Sequence, residues 1–157
     1  MNETAYIETS IFGYLTARST QNLILAANIE VTKNWWNNYR KTLDLYASQI
    51  VLDEAALGDS EIAAQRLQML QGITLLEPSE IAQELAIQFL SKTSLPPKAA
   101  NDAAHIAIAT VHGMDYLLTW NCKHIANAHI QKKLTQICSE FEYELPTICT
   151  PYEIIGE

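Results

Sequence analysis

Short strand-like runs alternate with helical ones along this 157-residue chain. That alternation predicts an α/β fold, a three-layer sandwich whose mostly parallel five-stranded sheet is flanked by helices. Three observations carry the prediction. Two hydrophobic periods, of about 2 and about 3.6 residues, take turns along the sequence. Glycines and a proline pair punctuate the changes, with Pro96-Pro97 the strongest break and Gly58, Gly72, Gly113 and Gly156 spaced like element ends. No internal repeat or low-complexity segment interrupts the pattern.

The elements follow in order. Ala5-Tyr6-Ile7 is a short apolar first strand. Leu23 to Arg40 reads as a helix, with Leu23, Ala27, Val31 and Trp35 in a row of spacing four that Tyr39 continues. Leu43 to Ala47 alternates as a second strand, and Ser48 reads as the N-cap of a short helix ending at Gly58. Asp59 or Ser60 caps the next helix, which turns Ala63, Leu67 and Leu70 inward and stops at Gly72. Ile73 to Leu76 is a third strand. Pro78-Ser79 opens a helix with paired apolar positions at Ile81-Ala82, Leu85-Ala86 and Phe89-Leu90. Ala99 to His112 is apolar nearly all round, as a helix buried against a sheet would be. Tyr116 to Trp120 reads as a fully buried strand, Lys123 to Glu140 as a polar helix, Thr147 to Thr150 as the last strand, and Pro151 to Glu153 as a short helical end.

Length and composition set the bounds. The chain suits one domain, residues 1–157. Hydrophobic residues make up 48% and charged residues 18%, with 18 Asp+Glu against 10 Lys+Arg and a net charge of −8. That balance excludes a protein that simply coats nucleic acid through a basic face, but leaves room for an acidic metal site that acts on phosphate. Cys122, Cys138 and Cys149 show no CxxC spacing and read as reduced thiols. With no basic leader and no apolar stretch near about 20 residues, the expectation is a soluble cytoplasmic protein without a membrane partner.

In open parallel sheets ligands collect beyond the carboxyl ends of the strands. Glu8 falls at the end of the first strand, just before Thr9-Ser10, and Asn121 at the equivalent place after Tyr116 to Trp120. Glu54 lies on the short helix after the second strand. Asp102 opens the apolar helix before the fourth, where the helix dipole favours an anion. Taken singly, each has a plainer reading as a solvated acid or helix-start residue. Converging, they make a hard oxygen site for Mg²⁺ or Mn²⁺. Asp53, Asp59 and Asp115 are nearby acids whose plainer roles are surface, cap and turn. His105 reads as a hydrogen-bonded core histidine, and Trp35, Trp36 and Tyr39 as packing. Cys122, His124, His129 and Cys138 match no familiar zinc spacing.

At these residues the chain resembles the PIN-domain nucleases, in particular the VapC-like members of toxin–antitoxin pairs. Tyr6-Ile7-Glu8-Thr9-Ser10-Ile11 is similar to the first motif of that family, Ser48 to Glu54 to the second, Asp102 to Ala107 to the third and Leu117 to Asn121 to the fourth. Two departures stand out: Glu8 where most members carry Asp, and Asn121 where the family usually has Asp. The resemblance implies a metal-dependent endoribonuclease that hydrolyses RNA phosphodiesters, with Glu8, Glu54, Asp102 and Asn121 as metal-binding and catalytic residues. A metal-activated water would be the nucleophile. Thr9, Ser10 and Thr119 would meet phosphate or orient the carboxylates, and Lys98 and Lys123 would meet the RNA backbone. A homodimer and a cognate antitoxin protein are the partners it implies. A catalytically silent PIN-like domain that binds a protein or RNA, and a small-molecule phosphatase, are the competing readings.

Overall fold

Ala5, Tyr6 and Ile7 have no accessible surface, because the strand that carries them is covered on both faces. In this computed structural model, which describes residues 1–155, that strand is β1 (Glu3–Ile7), the centre of a five-stranded sheet. Its neighbours are β2 (Leu43–Ser48), β3 (Thr74–Leu76), β4 (Tyr116–Leu118) and β5 (Thr147–Cys149), in the order β3-β2-β1-β4-β5. Every neighbouring pair is parallel, so the expected mostly parallel sheet is parallel throughout. Gly156, read above as an element end, lies outside the described residues.

Parallel neighbours require crossovers, and seven of the eight helices among the described residues supply them. Helices α1 (Thr9–Leu15), α2 (Leu23–Asn38), α3 (Gln49–Ala55) and α4 (Ser60–Leu70) pack together along the β1-to-β3 half. Helices α5 (Glu80–Lys92), α6 (Ala100–Val111) and α7 (Ala128–Glu140) carry the chain back through β4 to β5. Right-handed crossovers in opposite directions put these two sets on opposite faces of the sheet, giving the three-layer sandwich. The short α8 (Pro151–Ile154) packs on α2. No helix among the described residues is long and apolar enough to cross a membrane.

Local chemistry explains most boundaries. Asp59 caps α4 by accepting from the Glu61 and Ile62 amides, and Ser79 caps α5 by accepting from Ala82. Gly72 and Gly113 end α4 and α6 with φ of +83° and +69°, a region where a side chain would strain the turn.

Three expectations need correction. The polar helix begins at Ala128, not Lys123, because Asn127 caps it and the residues before it fold into a turn. In α2 the buried row is Ile29, Thr32 and Trp35, while Leu23 is 84% exposed. A spacing of four drifts about 40° per step around a helix of 3.6 residues per turn, so the row carries Leu23 away from the face that buries Trp35. Finally, β4 stops at Leu118, and Tyr116 and Trp120 are half-buried where full burial was expected.

The strand order reverses at β1. Chain growth runs from β1 toward β3 on one side and from β4 toward β5 on the other, so the carboxyl ends of β1 and β4 flank the topological switch point.

Candidate metal centre

The register of β1 on β4 pairs Ile7 with Leu118. The ladder goes one step further, the Glu8 amide donating to Leu118 O at 3.0 Å. Glu8 and Thr119 therefore leave the sheet side by side. Glu8 is 5% exposed, and donors surround its carboxylate. Oε1 accepts from Ser10 Oγ at 2.5 Å and from Thr119 Oγ1 at 2.6 Å, and Oε2 accepts from the Ser10 amide at 3.1 Å. Glu8 also caps α1 through that amide bond, so the first helix holds the acid in place.

Glu54 comes from α3 and meets two donors at one oxygen. Oε1 accepts from Thr9 Oγ1 and from His105 Nε2, both at 2.6 Å, while Asn101 Nδ2 reaches Oε2 at 3.5 Å. Burial pushes the Glu54 carboxyl up, but the hydrogen bonds from His105, Thr9 and Asn101 outweigh it. The net effect holds the carboxyl below its ordinary range.

Behind His105 runs a buried chain of hydroxyls. His105 has no exposed surface; its Nδ1 lies 2.6 Å from Tyr6 Oη, which lies 2.7 Å from Ser48 Oγ. An ionised Glu54 only accepts, so His105 Nε2 carries a proton. Burial, reinforced by the charges of Glu8 and Glu54 and partly offset by the Ser48 bond, raises the Tyr6 phenol far above its usual value and keeps it protonated. In a neutral imidazole, Tyr6 then donates to Nδ1 and Ser48 donates to Tyr6, a network-based assignment in which every group is satisfied. Ser48 thus heads α3 without capping it; the hydroxyl expected at the N-cap serves Tyr6 instead.

Ligand atoms of Glu8, Glu54 and His105 all lie within 4.8 Å of one another, forming the one such group among the described residues. With its Nε2–H donating to Glu54 and its Nδ1 lone pair accepting from Tyr6, His105 positions Glu54 and has no lone pair left for an ion. The remaining donors are two carboxylates, hard oxygens that fit Mg²⁺ or Mn²⁺ better than a softer ion.

Asp102 lies outside that group of three. Asp102 and Asn121 both engage His124: Asp102 Oδ2 accepts from His124 Nδ1 at 3.0 Å, and Asn121 Oδ1 accepts from the His124 amide at 3.0 Å. This second group adjoins the first, since the Asn121 amide donates to Thr119 Oγ1 and Asn101 precedes Asp102 on α6. Trp120 anchors the loop between them. Its ring stacks on Tyr14 at 5.2 Å, and its indole N–H donates to Thr32 Oγ1 at 2.8 Å.

Thr9, Ser10 and Thr119 orient carboxylates, one of the two roles expected of them. Asp115 bonds Thr4 beside the amino end of β1, and Asp53 bonds Gln49 on its own helix. Neither joins the group. Cys122 is exposed whereas Cys138 and Cys149 are buried, and desolvation pushes the buried thiols up to about 11 and about 12. No cysteine joins a cluster of ligand atoms among the described residues. His105 was read only as a core residue. The signal for more was local: it follows Asp102 by three residues, one helical turn along.

No family model matches the chain, and no curated protein is found to match it.

Proposed function

We propose that this chain is a divalent-metal-dependent endoribonuclease of the PIN type. The observation that carries the reading is the meeting of Glu8, Glu54 and His105 within 4.8 Å at the switch point of an all-parallel sheet. Glu8 and Glu54 would hold Mg²⁺ or Mn²⁺, and Asp102 is the third carboxylate that the motif resemblance assigns. A divalent ion bound there supplies charge that acidifies a water and stabilises the leaving oxygen of a phosphodiester. The chain's own residues do the rest. Ser10 and Thr119 fix both oxygens of Glu8, while Thr9 and His105 fix Glu54. Tyr6 and Ser48 hold His105 in the tautomer that donates to Glu54. Such preset donors spare the carboxylates reorganisation when an ion arrives.

The VapC-like character of the four motifs extends the reading to a toxin component, with a cognate antitoxin and a second copy of this chain as partners. The catalytically silent alternative draws on one specific observation: Asp102 and Asn121 spend their oxygens on His124. The two readings part on a cleavage assay. Labelled single-stranded RNA with Mg²⁺ or Mn²⁺ should be cut internally, with activity lost in EDTA and in Glu54→Gln. Asp102→Asn asks whether Asp102 leaves His124 to join the ion; an unchanged rate would remove it from the ligand set. Cleavage that survives EDTA and Glu54→Gln would refute the metal-nuclease reading.

A further inference from the structure

A net charge of −8 leaves few basic side chains to spend, yet several gather in one place. A cleft of about 1020 Å³ between the segment before α6 and the start of α7 is lined by Lys98, Lys123, Lys132, Lys133, His124 and His129. Four of the 10 Lys+Arg residues therefore face one concavity, and no Asp or Glu lines it. The lysines are exposed, and none forms an ion pair among the described residues; the lysine that does, Lys92, is bound to Glu140 outside the cleft. Four unpaired cations around one cleft make a local field that favours an anion. The cleft also has a direction. His124 lines it and is bonded to Asp102 on its other side, so the basic floor runs up to the polar groups beside Glu8 and Glu54.

We infer that this cleft binds the backbone of single-stranded RNA and leads it to the carboxylates. The choice of ligand rests on the phosphodiester reading above; the cationic lining is independent of it. Two features narrow the recognition. No aromatic side chain lines the cleft, so bases have no platform for stacking, and contact is made with phosphate in a way that tolerates sequence. The cationic footprint is short, and the surrounding excess of acid disfavours an extended duplex, which carries about twice the charge per length. Lys98 and Lys123 thereby gain two neighbours, Lys132 and Lys133, that sequence motifs did not single out. They sit in the second turn of α7, and only the fold brings them opposite Lys98.

The test measures binding without cleavage. Fluorescence anisotropy of a short labelled oligoribonucleotide in EDTA, across a range of salt concentrations, reads affinity and its salt slope together. Each phosphate contact to a single strand contributes about 0.7 to that slope, so four lysines give a slope near −2.8. Lys132→Ala combined with Lys133→Ala should halve it and weaken binding about 25-fold at 0.1 M salt. Lys92→Ala should leave both unchanged. Unchanged affinity and slope in the double variant would overturn the inference, as would tighter binding of duplex RNA or of polyglutamate than of the single strand. The nuclease reading fails separately: RNA held by the lysines but never cut with Mg²⁺ or Mn²⁺ leaves the cleft standing and removes the enzyme. Cutting that is indifferent to the lysines does the reverse.

Discussion

Two polar groups share the carboxyl edge of the sheet, and they are held in opposite ways. Glu8, Glu54 and His105 are gripped from behind by Thr119, Ser10, Thr9, Tyr6 and Ser48, in a chain that reaches into the core. Asp102, on α6, and Asn121, in the loop after β4, meet through His124, which also lines an open basic cleft. The first group is preset by elements far apart in sequence. The second is joined through a single residue, His124. On the proposed nuclease reading, the first group holds the ion and the second meets substrate.

The largest effect that would sharpen this contrast is at Glu54. Glu54→Gln should lower RNA cleavage with Mn²⁺ by at least the roughly 10–100-fold that supporting groups of metal ligands command. Asp102→Asn should have the smaller effect, and equal losses in a rate assay would erase the distinction.

Next comes Tyr6, which touches no candidate ligand directly. Tyr6→Phe leaves His105 Nδ1 and Ser48 Oγ without a partner in a dry core, a penalty of about 1–3 kcal/mol. A chain of this size should then melt about 2–4 °C lower per kcal/mol, and its metal affinity should fall with the loosened imidazole. A melting curve and a Mn²⁺ titration that match the unsubstituted protein would break the buried chain's claim to a role.

His124→Gln should do less. The Asp102–His124 bond joins side chains 19% and 16% exposed, and Gln keeps an amide donor in its place, so the net loss is about 1 kcal/mol or less. Thermal denaturation should barely register the change.

Acid provides the subtlest comparison. Glu54 has its carboxyl lowered in the folded protein relative to the unfolded chain. Its contribution is therefore complete above the ordinary glutamate value and fades as pH falls through the lower folded value. The stability gap between the unsubstituted protein and Glu54→Gln, measured by urea unfolding, should narrow with falling pH. A gap that widens would contradict the assigned donors.

Much of this was legible in the residues, unevenly and for physical reasons. Strands and helices declared themselves because burial imposes a period, and Glu8 could be placed because an acid directly after a buried strand has few places to go. Glu54 was legible only as one acid on a short helix; its neighbour Asp53 has the same chemistry but bonds Gln49 instead. His105 hid because a histidine in an apolar helix looks the same whether it fills a core or supports a carboxylate. That Asp102 and Asn121 both bond His124 was not legible, because sequence order does not reveal that the loop after β4 brings His124 against α6. Lys132 and Lys133 became neighbours of Lys98 only once α7 was seen to start at Ala128.

The division between the two groups rests most directly on where a cation binds. Calorimetric titration of Mn²⁺ into the unsubstituted protein, Glu54→Gln and Asp102→Asn reads it without any substrate. Saturable binding that Glu54→Gln abolishes and Asp102→Asn largely keeps is the predicted result. Binding that survives Glu54→Gln and disappears in Asp102→Asn would contradict it.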